Sequence, residues 1–95
     1  MAIESYLNEV QVIIKLLQEG ERSTANIHIQ QATSLLHHVL PNDPLRDDCI
    51  IINTMIRDYW NGIPAIDIED IEKECQRVLD ALECSVKFKQ KESGI

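Results

Sequence analysis

The chain is poor in aromatic residues, with one Trp, two Tyr and one Phe in 95 positions. Its core must therefore be built from Ile, Leu and Val. Long apolar runs are missing as well. The longest, Cys49-Ile50-Ile51-Ile52, has four residues, far short of the roughly 18 that a bilayer-spanning helix needs, so no membrane span is expected. Glu4 stands where a secretory leader carries basic side chains, and no apolar stretch follows it. Cysteine is scarce and odd in number: Cys49, Cys75 and Cys84, with no CxxC pair. A secreted disulfide framework has even counts and denser spacing, so a reducing cytoplasm is the expected setting.

The glycines Gly20, Gly62 and Gly94 are isolated, which excludes a P-loop and a dinucleotide-binding fingerprint. Basic residues are outnumbered, nine Lys and Arg against 16 Asp and Glu, for a net charge of -7. Phosphate binding by a basic patch needs the opposite balance, and direct nucleic-acid binding is not expected. The hydrophobic fraction of 44% and charged fraction of 26% are those of an ordinary folded domain. One domain over residues 1–95 is expected, with a frayed tail at 92–95.

What the chain does have is a repeated apolar spacing in alternating steps of three and four. The four series are Ile3, Leu7, Val10, Ile14, Leu17; Ala25, Ile29, Ala32, Leu36, Val39; Leu45, Cys49, Ile52, Ile56, Tyr59; and Ile68, Ile71, Cys75, Val78, Leu82. Such steps keep side chains on one face of a 3.6-residue helix, and each face must be buried. The spacing predicts helices over about 3–19, 23–40, 44–61 and 67–90. Gly20 ends the first, Ser23 or Thr24 caps the second, and Pro41 stops it at Leu40. Asp43 and Pro44 open the third as N-cap and N1, and Asn61 with Gly62 ends it. Asp67 caps the fourth, with Asp70 at N3 as a short capping box and Ile66 with Ile71 as a hydrophobic staple. Acids at its start and Lys87, Lys89 and Lys91 at its end complement the helix dipole. Connections of about two to six residues suit antiparallel neighbours. The fold class is an all-α, antiparallel, up-down-up-down four-helix bundle.

The sequence offers little to chemistry. His37 and His38 are adjacent, about 100° apart on a helix. Only an assumed topology would bring them near Asp47, Asp48 and Cys49, a zinc-type donor set. Imidazoles favoured at the C-terminus of a helix are the simpler reading. Cys49 and Cys75 fall on the apolar stripes, where cysteine behaves as a small hydrophobe. Helix 4 gives Cys75 acidic neighbours, the reverse of what activates a thiolate. Asp47 with Asp48 and Glu69 with Asp70 are adjacent pairs that face different ways. No catalytic residue, metal ligand or cofactor is assigned, and enzymatic activity is not expected.

One feature calls for more than solvation. Residues 23–45 contain no Lys or Arg, and their one acid is Asp43. The polar side of helix 2 is neutral, formed by Asn26, His28, Gln30, Gln31, Thr33, Ser34, His37 and His38. A solvated helix usually carries Lys and Glu there, whereas neutral hydrogen-bonding groups suit a surface dried by another protein. Helix 3 adds Ile50, Ile51 and Met55, apolar on more than one side, followed by Tyr59 and Trp60, aromatics of the kind enriched in interfaces. The expected interface is Gln30, Gln31, Ser34 and His38 with Ile51, Met55 and Tyr59. It serves a regulatory or inhibitory protein–protein module that pairs with itself as a homodimer or larger oligomer. The three histidines give such a surface scope for a pH effect between about 5 and 7.

Two other functions compete. The size, acidity and four-helix arrangement resemble those of several bacteriocin and colicin immunity proteins, a likeness of architecture that no motif carries. It implies an acidic inhibitor of a nucleic-acid-binding enzyme. Antiparallel topology, however, is expected to hold Asp43, Asp47 and Asp48 at one end and the acids of residues 67–74 at the other. The last reading is a small-ligand binder with its site between helices or at a subunit junction.

Overall fold

A computed structural model describes residues 2–93, with side chains over 2–84. It contains four helices, α1 (Ala2–Gln18), α2 (Arg22–Leu36), α3 (Arg46–Trp60) and α4 (Ile68–Ser93). The two residues at the end of the expected frayed tail, 94–95, lie outside the described ones, as do the side chains of Lys87, Lys89 and Lys91.

The ends of α1 and α3 are built alike. Gly20 and Gly62 take positive φ of 77° and 85°, which glycine reaches without a Cβ clash. In each case the two residues after the helix cap donate back in the paired pattern of a Schellman ending. Glu21 N–H reaches Leu16 O at 2.9 Å and Gly20 N–H reaches Leu17 O at 3.2 Å. At the other site Ile63 N–H reaches Asp58 O at 3.0 Å and Gly62 N–H reaches Tyr59 O at 3.0 Å.

The other boundaries differ in part. Helix α2 starts at Arg22 after Glu21, with no side-chain cap bond, so Ser23 and Thr24 lie inside its first turn. It ends at Leu36 rather than Leu40. His37, His38 and Val39 instead donate to Ser34, Leu35 and Leu36, the tighter i to i+3 pattern common in last turns. Asp43 does accept a bond from Leu45 N–H at 2.9 Å, as a cap would. The turn it opens is closed by Arg46 N–H on Asp43 O at 3.1 Å, so regular helix begins only at Arg46. At α4, Asp67 N–H donates to the Asp70 carboxylate at 3.1 Å, the returning half of the capping box.

Contacts fix the directions of the helices. Gln18 at the end of α1 bonds Glu72 near the start of α4. Arg22 at the start of α2 meets Trp60 at the end of α3, and Arg77 of α4 reaches Asp48 at the start of α3. Sequence neighbours therefore run antiparallel, while α1 and α3 run parallel, joined by Tyr6 to Asn53. Helix α1 packs on all three others; among the described residues α2 and α4 do not meet.

The stripe residues form the core. Ile3, Leu7, Val10, Ile14 and Leu17 are buried with Ala25, Ile29, Ala32, Val39, Cys49, Ile52, Ile56, Ile71, Cys75 and Val78. Tyr6 and Ile13, outside the expected stripe of α1, are fully buried too. A helix packed on three neighbours buries a wider arc than one stripe supplies, so α1, not the apolar α3, is the most enclosed helix. No helix among the described residues is long and apolar enough to cross a membrane.

Candidate interaction surface

Neutral polar residues of α2 divide between two environments. Thr33 and Asn26 turn toward α3, while Gln31 and Ser34 are exposed on the outer side. Thr33 belongs to a chain of hydrogen bonds through the core. The buried Tyr6 hydroxyl donates to the Cys49 carbonyl and to Asn53 Oδ1, each at 3.2 Å. Asn53 Nδ2 donates to Thr33 Oγ1 at 3.4 Å, and Thr33 Oγ1 donates to Ile29 O at 2.9 Å. Three helices are thereby keyed to one another by polar groups, and no buried side-chain polar atom among the described residues lacks a partner. Apolar surroundings raise the cost of leaving such groups unpaired, so the network penalises helix rotation or register slip.

The outer side of α2 holds a residue outside the expected interface. Ile27, off the apolar stripe, is 57% exposed. At 100° per residue it shares its face with Ser23, Gln30, Gln31 and Ser34, all exposed. His28 turns to α1, where its Nδ1 meets the Glu9 carboxylate. Residues 23–36 contain no Lys, Arg, Asp or Glu; the charge of α2 is Arg22, at its first position. His38 lies exposed in the turn beyond α2.

The expected residues of α3 do not join that face. Met55 and Tyr59 are half-buried against the core. They lie roughly 120–160° around α3 from Asn53, which points to α2. Ile51, 51% exposed, is on the same far side, while Ile50 at 36% lies nearer α2. The spare apolar surface expected on α3 is thus present, but it is separate from the neutral face of α2.

Between α2 and α3 runs a groove of about 330 Å³, lined by Asn26, Ile29, Gln30, Thr33, Arg57, Trp60 and Asn61. The Arg22 guanidinium lies 4.9 Å from the ring centroid of the wall residue Trp60. Of the expected surface residues, Gln30 alone lines this groove.

One cation links the two acidic groups. Arg77 Nη2 contacts both Glu74 and, at 2.6 Å, Asp48. It thus joins one acid of α4 to one at the start of α3, while Glu72, bonded to Gln18 at the end of α1, lies toward the other end. Its hydrogen bonds to the Glu74 and Asp48 carboxylates hold its guanidinium above its ordinary pKa.

The candidate zinc donors are not brought together. His37 and His38 are exposed while Cys49 is buried, and no group of three metal-type side chains occurs among the described residues. Burial, then the charges of Asp48, Asp43 and Cys75, pushes the Cys49 thiol up to about 12. Burial raises Cys75 to about 11. Both are protonated at neutral pH and are poor nucleophiles. Cys84 is exposed.

No family model, curated protein or solved structure matches the chain. The likeness to immunity proteins accordingly rests on size, acidity and helix count alone.

Proposed function

We propose that the protein is a non-enzymatic interaction module of regulatory or inhibitory type that pairs with a second copy of itself through the outer face of α2. The observation that carries this reading is Ile27, more than half exposed at the centre of a strip with no formal charge. Two copies that each carry -7 repel across most of their surfaces. A neutral strip with an apolar centre lets them approach without burying a charge. The 15-residue helix is only about 22 Å long. Such a strip falls short of the roughly 800 Å² per partner of a standard interface, so the pair is expected to be weak and exchanging. Sedimentation equilibrium tests this. The wild-type chain should associate, and Gln31→Lys with Ser34→Lys should sediment as a folded monomer. Association unchanged by the two lysines would place the contact elsewhere.

A second reading is favoured by Arg77, which draws Asp48 of α3 and Glu74 of α4 together. On this reading the acidic side occupies the basic cleft of a nucleic-acid-binding enzyme. Inhibition that weakens steeply between low and moderate salt would support it; salt-independent behaviour would remove it.

A further inference from the structure

Although acids outnumber bases 16 to nine in the chain, none lines the groove between α2 and α3. Its charged member, Arg57, forms no ion pair among the described side chains. Asn26, Gln30 and Asn61 bring amide donors to the same groove. The C-terminal carbonyls of α3 would ordinarily oppose an anion there, but each is already engaged. Arg57 O accepts from Asn61 N–H, Asp58 O from Ile63, Tyr59 O from Gly62 and Trp60 O from Arg22.

Two of the wall residues, Trp60 and Thr33, are held in place by contacts within the protein. Trp60 is held by the Arg22 guanidinium over its ring and by its indole N–H on Arg22 O at 3.4 Å. Thr33 is held by the Asn53 and Ile29 bonds. A volume of about 330 Å³ is at the small end of the range for small-molecule sites.

From these features we infer that the α2–α3 groove binds a small oxyanion-bearing molecule, a carboxylate or phosphate, with its anion on Arg57 and the neighbouring amides and its apolar part against Ile29 and Trp60. A planar guanidinium matches either anion in a two-point contact. The site lies roughly 100° around α2 from Ile27, so it does not rest on self-pairing and survives if that reading fails.

Trp60 is the only tryptophan, so its indole N–H is an unambiguous reporter in a ¹⁵N NMR spectrum, beside the side-chain amides of Asn26, Gln30 and Asn61. The full chain is titrated at constant ionic strength with sodium benzoate, sodium phosphate and, as an uncharged match, benzamide. The expected result is a saturable shift of the Trp60 indole and of these amides with benzoate or phosphate, and none with benzamide. The tighter of the two anions identifies whether the groove takes carboxylate or phosphate. Arg57→Gln should weaken binding at least about tenfold, the loss of one charge-assisted two-point contact. Gln30→Glu, which places a carboxylate in the groove, should abolish it and serves as the second variant. No saturable shift with either anion, an unchanged affinity in both variants, or benzamide binding as tightly as benzoate would overturn the assignment.

Discussion

Arg22 and Trp60 hold each other reciprocally: Arg22 Nη2 donates to Trp60 O at 2.7 Å, and the Trp60 indole N–H donates to Arg22 O at 3.4 Å. With the guanidinium over the ring, the pair ties the start of α2 to the end of α3. The cation is unfavourable at the N-terminus of its own helix and favourable at the C-terminus of its neighbour, so its placement depends on the tertiary contact. Arg22→Ala should cost about 1 kcal/mol, the size of one exposed cation–π contact with its hydrogen bond. A lowered urea midpoint with a changed Trp60 emission would show this. An unchanged midpoint would mean that the contact contributes nothing in solution.

The Tyr6, Asn53 and Thr33 chain should behave as a unit. Asn53→Ala removes one hydrogen bond each from Tyr6 and Thr33, which keep the Cys49 and Ile29 carbonyls, and should cost about 1–3 kcal/mol, while Tyr6→Phe should cost about 1 kcal/mol. Tyr6→Phe combined with Asn53→Leu removes both members of their bond and should cost less than the sum of the single changes. Strict additivity in chemical denaturation would refute coupling between the two side chains.

Much of the fold was legible because each helix carries its own stripe and several ends carry their own chemistry. Gly20, Gly62 and the Asp67 with Asp70 box are local signals, settled within one turn of backbone. The early end of α2 and the late regular start of α3 were not legible, because 37–45 folds as successive tight turns closed mostly by backbone bonds, which residue type does not announce, with the Asp43 side chain the exception. Nor was the burial of Tyr6 and Ile13, which follows from α1 meeting three helices rather than from its own pattern. The neutral surface of α2 was visible as a composition, but its division into an outer face and a groove required the position of α3. Ile27 was the available clue, an isoleucine out of register with its stripe. The grouping of Ile51, Met55 and Tyr59 with helix 2 failed geometrically, since sequence proximity on α3 does not say which side meets α2.

Alkaline pH should destabilise the protein through its core thiols. Burial raises Cys49 to about 12 and Cys75 to about 11 from 9.0 in the unfolded chain, and it raises Tyr6 as well. Above pH 9 the unfolded chain loses these protons first, so the stabilisation present below that pH is lost as pH rises toward the folded values. Each group contributes a slope of about -1.4 kcal/mol per pH unit inside its window. Urea midpoints measured from pH 7 to 11 should fall beyond 9, and less steeply in Cys49→Ala with Cys75→Ala. At pH 8 a thiol reagent should label Cys84 fast and the other two only on unfolding. Rapid labelling of all three would contradict their burial.

The most direct test of self-pairing through α2 is molar mass by light scattering, from low to high micromolar protein at pH 7.5. The chain has a mass of 10.9 kDa. The wild type should rise with concentration toward twice that value, and Ile27→Asp should stay at the monomer mass with unchanged helical circular dichroism. A wild type that remains monomeric throughout, or an Ile27→Asp variant that associates as the wild type does, would contradict the account.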